Sequence, residues 1–107
     1  MPTVLVRNGR VVTAAESVVA DLFVDGERVA LVGQGLSLPA DTVIDASGCL
    51  VLPGGIDVHT HLGRPAGGTP SSDDFETGTR AAAFGGTTTI VDFATPEPGQ
   101  ALLAALE

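Results

Sequence analysis

Along the first fifty residues, short apolar runs alternate with pairs of turn-forming residues, the pattern of a string of β-strands. "TVLVRNGRVVT" sets Asn8-Gly9 between two such runs. Both residues tolerate the positive φ of a tight type I′ turn, so a hairpin is predicted there. "ADLFVDGERVALVG" repeats the device, with Asp25-Gly26 between Leu22–Val24 and Arg28–Val32. "GQGLSLPAD" is a loop by its Gly, Ser and Pro content. "TVIDASGCLVLP" adds two short strands around a Ser47-Gly48 turn, with Cys49 expected as a small buried strand residue. Together these segments predict a small antiparallel sheet or half of a sandwich.

Past Pro53 the pattern changes. "GGIDVHTHL" reads as a strand with Ile56 and Val58 on one face and Asp57, His59 and His61 on the other. "GRPAGGTPSS" reads as a loop. "SSDDFETGTRAAAFGG" predicts a helix that starts at Ser and Asp residues. Asp73 and Glu76 stand at the spacing of a capping box, and Gly85-Gly86 forms the stop. "TTTIVDFA" is β-branched and nearly continuously apolar, as a strand buried on both faces would be. "TPEPG" is a loop, and "QALLAALE" is expected to begin another helix.

Strand, helix, strand, helix is the rhythm of a parallel sheet covered by helices. The chain therefore divides into a β-rich portion, residues 1–52, and a βα portion, residues 53–107. Two parallel strands do not stand alone, and a closed (β/α)8 barrel takes ~250 residues. The chain is accordingly expected to be the N-terminal fragment of a larger protein.

Composition narrows the class. The net charge is −8, from thirteen acids against five arginines, with no lysine. Such a surface is a poor match for nucleic acid or an anionic membrane. A single cysteine allows no internal disulfide, and the N-terminus lacks the pattern of a signal peptide. No apolar run approaches the ~20 residues of a membrane span. A soluble, cytoplasmic protein is expected.

The candidate chemistry sits in "GGIDVHTHLGRP", which holds both histidines of the chain. Residues i and i+2 of a strand face the same way, so the two imidazoles can converge on one metal ion. On spacing alone, a polar strand end with two incidental histidines is an equally good reading. A catalytic zinc takes ~3 protein ligands and an open position. The chain offers two histidines, Cys49 and scattered carboxylates. Asp57, one step deeper on the same face, suits a residue that orients a ligand, and Asp92 could reach the same strand end.

"LVLPGGIDVHTHL" resembles the amidohydrolase superfamily, and within it the dihydropyrimidinase / D-hydantoinase family of cyclic amide hydrolases. "SSDDFETGTRAAAFGGTTTIVDFATPEPGQALLAALE" is similar to the same family almost throughout. The resemblance implies the N-terminal part of a β-sandwich followed by the first two βα units of a (β/α)8 barrel. It implies that His59 and His61 are metal ligands at the end of the first barrel strand. The complete enzymes hold two divalent ions, usually zinc, bridged by a carboxylated lysine and a hydroxide that attacks the ring amide. Hydantoins or dihydropyrimidines then yield N-carbamoyl amino acids, and the family resemblance suggests a homotetramer. With no lysine and no third histidine here, the remaining ligands and the catalytic residues are expected beyond Glu107, and the isolated chain is expected to be inactive.

One stretch departs from the family. Where it commonly has an acidic residue, an apolar one, Pro and Phe as a lid over the substrate, this chain has Gly63, Arg64, Pro65 and Ala66 after Leu62. Arg64 reads equally as a substrate contact or as a solvated loop residue. Dihydroorotases and allantoinases, an alternative class, place an arginine immediately after "HxHL", and here Arg64 falls one position later. A further alternative is a non-catalytic dihydropyrimidinase-like assembly protein. Those relatives typically lack the histidine pair, which is intact here.

Overall fold

The computed structural model describes residues 1–66 and 68–106. The chain forms two compact units, Met1–Pro53 and Gly54–Glu107.

The first unit is one five-stranded sheet. Strand β1 (Thr3–Val12) pairs antiparallel with β2 (Ser17–Asp25), and β2 pairs antiparallel with β3 (Arg28–Gly33). Strands β4 (Thr42–Asp45) and β5 (Leu50–Val51) both lie alongside β1 and run parallel to it. The sheet is therefore mixed, which corrects the antiparallel expectation. The segment after β3 returns the chain to the start of β1, where the Asp41 carboxylate accepts the Thr3 amide at 2.7 Å and its hydroxyl at 2.9 Å. From that point β4 can only run in the direction of β1.

The predicted hairpin at Asn8-Gly9 is absent. Strand β1 continues through it, and its pairing with β2 shifts between Val6 and Gly9. Arg7 and Asn8 stand opposite the single residue Asp21 as a β-bulge, with Asn8 at φ 63° and Gly9 paired with Ala20. The reason lies in the neighbours. The Asp21 carboxylate accepts the Asn8 amide at 2.8 Å, and the Asn8 side chain donates to Asp45 at 3.0 Å. Gly9 is needed for closeness, because a Cβ there would stand 2.5 Å from Val51 Cγ2. The second predicted turn is present one residue later, with Gly26 and Glu27 linking Asp25 to its partner Arg28. Cys49 is exposed and precedes β5 in a turn, so it is not the buried strand residue expected.

Leu5, Val11, Ala20 and Ala46 are the buried apolar residues of this unit. Asp21 is buried with them, 4% exposed, and also accepts the Leu36 amide at 2.9 Å. Val29, Val32, Leu50 and Leu52 remain exposed.

In the second unit β6 (Gly55–Thr60) pairs parallel with β9 (Thr87–Asp92). Between them come β7 (Pro65–Ala66) and β8 (Thr69–Pro70), which pair antiparallel, and helix α1 (Phe75–Phe84). The segment expected to be irregular thus holds a minimal hairpin. The helix cap sits one residue later than predicted. Asp74 accepts the Thr77 amide at 2.8 Å and Thr77 Oγ1 accepts the Asp74 amide at 3.1 Å. Glu76, released from a capping role, pairs with Arg80 one turn on at 3.0 Å. Gly86, at φ 82°, closes the helix end. The expected final helix is instead a short 3-10 turn, Leu102–Ala105. Strand β9 is not covered on both faces by the described residues, since Val91 is about half exposed.

Two outcomes are expected from this sheet. Gly9→Ala should destabilise the full-length protein by about 1–3 kcal/mol through overpacking on Val51. Urea unfolding should show that Gly9→Ala and Val51→Ala together cost less than the sum of the two, because they share one contact. The second concerns acid. The Asn8 and Leu36 amides hold the Asp21 carboxyl below its ordinary range. Its stabilising effect is therefore complete above the unfolded pKa of ~4 and is lost as pH falls through the lower folded value. Asp21→Asn should be less stable than wild type at pH ~7, and the gap should shrink on acidification below pH ~4. Urea midpoints at both pH values measure it, and a gap independent of pH would contradict this role for the carboxylate.

Candidate functional site

The parallel register of the second unit brings two strand ends level, with Thr60 opposite Asp92. Close approach of the strands is permitted at Gly54, where any Cβ would collide with the Thr88 side chain. The Thr60 hydroxyl donates to the Val91 carbonyl at 3.2 Å. Asp92 then ties the turn after β6, accepting the Leu62 amide at 2.9 Å. That bond is the main cause holding the Asp92 carboxyl below the ordinary carboxylate range.

His59 lies in β6 and His61 one residue past its end, both exposed. Their Nε2 atoms are 3.1 Å apart. Two nitrogens each ~2.0–2.1 Å from one tetrahedral ion stand about 3.3–3.4 Å apart, so the observed spacing lies within about 0.3 Å of joint ligation. Without an ion, the same distance is an N–H···N hydrogen bond, which needs one protonated and one bare nitrogen.

Arg64 decides which is which. Its Nη1 lies 3.2 Å from His61 Nδ1. A guanidinium only donates, so we assign the lone pair of a neutral His61 to Nδ1 and its proton to Nε2. His61 Nε2–H then donates to His59 Nε2, whose proton sits on Nδ1.

Asp57 Oδ1 accepts the His59 amide at 3.1 Å, so it braces the backbone beneath the ring and does not touch the imidazole. Phe93 is the contributor that sequence reasoning missed. Its ring centroid stands 4.6 Å from that of His59 and 5.0 Å from that of His61, walling one side of the pair. A signal existed: Phe93 follows Asp92 at the end of the neighbouring parallel strand, where side chains share one rim.

Of the stretch expected to form a substrate lid, Leu62 lies over α1, close enough that a Cβ on Gly78 would stand 2.5 Å from Leu62 Cδ2. Gly63 (φ 63°) donates its amide to Asp73 O at 2.9 Å. The Arg64 amide donates to Ser71 Oγ at 3.0 Å, and Pro65–Ala66 is strand β7. Gly67, next in that stretch, lies outside the described residues. Among the described residues, no third His, Cys, Asp or Glu joins the pair in a metal-holding group. Cys49 belongs to the first unit.

Residues 50–107 match the Amidohydrolase family, more than half of the chain. The chain belongs to the amidohydrolase family. Over 105 residues it is 52% identical to a D-hydantoinase of Geobacillus stearothermophilus, covering 98% of this chain and 22% of that protein. Against a dihydropyrimidinase of Rattus norvegicus it is 50% identical over 108 residues, covering 96% of this chain and 21% of the relative. The crystal structure of dihydropyrimidinase from Brevibacillus agri superposes with a TM-score of 0.91 at 53% identity, over 97% of this chain and 23% of that one. The amidohydrolase segment described here thus spans between a fifth and a quarter of these relatives' length. None of its described helices is long and apolar enough to cross a membrane.

The Asp92–Leu62 bond is expected to hold the turn that presents His61. Asp92→Ala in the full-length protein should raise hydrogen exchange at the Leu62 amide by about fivefold or more, for a bond worth ~1 kcal/mol. Exchange followed by mass spectrometry of the peptide holding Leu62 checks it, and unchanged protection would remove Asp92 from this role.

Proposed function

We propose that the full-length protein is a divalent-metal-dependent hydrolase of cyclic ureides, opening hydantoins or dihydropyrimidines to N-carbamoyl amino acids. The observation that carries this reading is the 3.1 Å separation of the His59 and His61 Nε2 atoms at the end of a parallel strand. The relatives named hydantoinase and dihydropyrimidinase supply the substrate class.

His59 and His61 would hold one ion through their Nε2 atoms. When bound, a divalent ion polarises the ring carbonyl and acidifies the attacking water. The overall reaction adds water across one ring C–N bond, with OH going to the carbonyl carbon and H to the nitrogen. The chain's own residues prepare the rim for it. Asp57 fixes the backbone under His59, Asp92 fixes the turn after His61, and Phe93 lies against one side of both rings. Two neutral nitrogens are too few for a catalytic centre of ~3 protein ligands. We read the complete centre as two divalent ions, zinc by family resemblance, with the carboxylated lysine and later ligands supplied from outside these residues. That placement agrees with the absence of lysine from the chain. The apolar side chains left bare on β6 and the helix, such as Ile56, Val58 and Phe84, suit burial by further barrel elements.

In the full-length protein, the His59→Ala, His61→Ala form should lose most bound metal and at least about a hundredfold in turnover. Elemental analysis together with hydrolysis of hydantoin and dihydrouracil measures both. Turnover retained by that form would sink the proposal.

A further inference from the structure

We propose that Arg64 competes with the metal for His61, so that ion loading must displace its side chain. The proposal rests on the reading of His59 and His61 as metal ligands. A neutral imidazole has one lone pair. With Arg64 Nη1 donating to His61 Nδ1 at 3.2 Å, that lone pair is engaged and Nε2 carries a proton. His61 Nε2 can take an ion only in the other tautomer, with the proton on Nδ1. That tautomer sets a ring N–H against a guanidinium N–H, two donors with no acceptor between them. A divalent ion on Nε2 adds repulsion across one imidazole ring from the guanidinium charge. Guanidinium contact and ligation therefore exclude each other.

The local structure shows which part moves. The Arg64 backbone is fixed at both ends, its amide on Ser71 Oγ at 3.0 Å and its carbonyl accepting the Ser71 amide at 2.9 Å. The guanidinium has no carboxylate partner among the described residues, whose ion pair is Arg80–Glu76. The side chain is thus free to swing while the turn stays in place. Before loading, the same contact keeps His61 aimed at His59, holding the 3.1 Å spacing with a hydrogen bond in place of an ion.

Substitutions separate this from a structural role for the arginine. Arg64→Gln removes the charge and offers an amide oxygen that can accept the Nδ1–H of a ligating His61. Arg64→Ala removes both charge and donor, and Arg64→Lys keeps a donor-only cation. In the full-length protein, Zn2+ affinity measured by chelator competition should rise about fivefold to tenfold in Arg64→Gln and Arg64→Ala, the scale of one unit charge removed at this range. Arg64→Lys should stay near wild type, and thermal unfolding confirms that each variant is folded. Unchanged or weaker Zn2+ binding in both neutral variants would overturn the competition. So would equal tightening in Arg64→Lys. A triple form, His59→Ala and His61→Ala with Arg64→Gln, separates the two readings. If it binds Zn2+ as tightly as Arg64→Gln, the histidines are not the ligands and the underlying proposal fails. If it loses Zn2+ while Arg64→Gln matches wild type, the Arg64 proposal alone fails.

Discussion

Everything at the candidate site depends on the parallel pairing of β6 with β9, which sets Thr60 opposite Asp92. A parallel pair needs a crossover, and α1 with its Asp74–Thr77 cap provides it. Once the two strand ends are level, Asp92 can reach the Leu62 amide and Phe93 can lie against both imidazoles. None of these contacts is local in sequence. The histidines come from one strand, and the side chains that hold and wall them come from the other, some thirty residues later.

The first unit is governed by a different constraint, the fit between a bulge and a buried carboxylate. Asp21 accepts the amides of Asn8 and Leu36, so one side chain fixes the irregular point of β1 and the loop after β3. The bulge is matched on the other side by the turn between β4 and β5. There the Ala46 amide donates to Arg7 O at 2.8 Å and the Arg10 amide to Cys49 O at 3.0 Å. A buried carboxylate is costly unless its acceptors are filled, and here backbone amides fill them.

The electrostatics of the histidine pair are set by its immediate neighbours. The two Nε2 atoms stand 3.1 Å apart, while the Arg64 guanidinium donates to the far nitrogen of His61. A guanidinium on one ring nitrogen disfavours a second cation on the other nitrogen of the same ring. The relatives are four to five times the length matched here.

Much of this was legible in the sequence. The strand segments, the Asp25-Gly26 turn region, the crossover helix with its glycine stop, and the histidine pair on one strand follow from local chemistry. Turn residues, caps and a two-residue period act over a few positions. Strand direction in the first sheet, the bulge at Arg7-Asn8 and the exposure of Cys49 did not follow. Asn8 tolerates the positive φ of either a hairpin or a bulge, and only Asp21, Asp45 and Val51 select the bulge. The cap moved from Asp73 to Asp74 because Thr77 could answer Asp74 from both sides. Phe93 could not be placed against the imidazoles before the strand ends were paired, and Arg64, only three residues from His61, not before the turn between them was formed. By itself the sequence determined which residues could bind or turn. The tertiary structure decided which of them meet, because those meetings are set by strand register and direction across long stretches of chain.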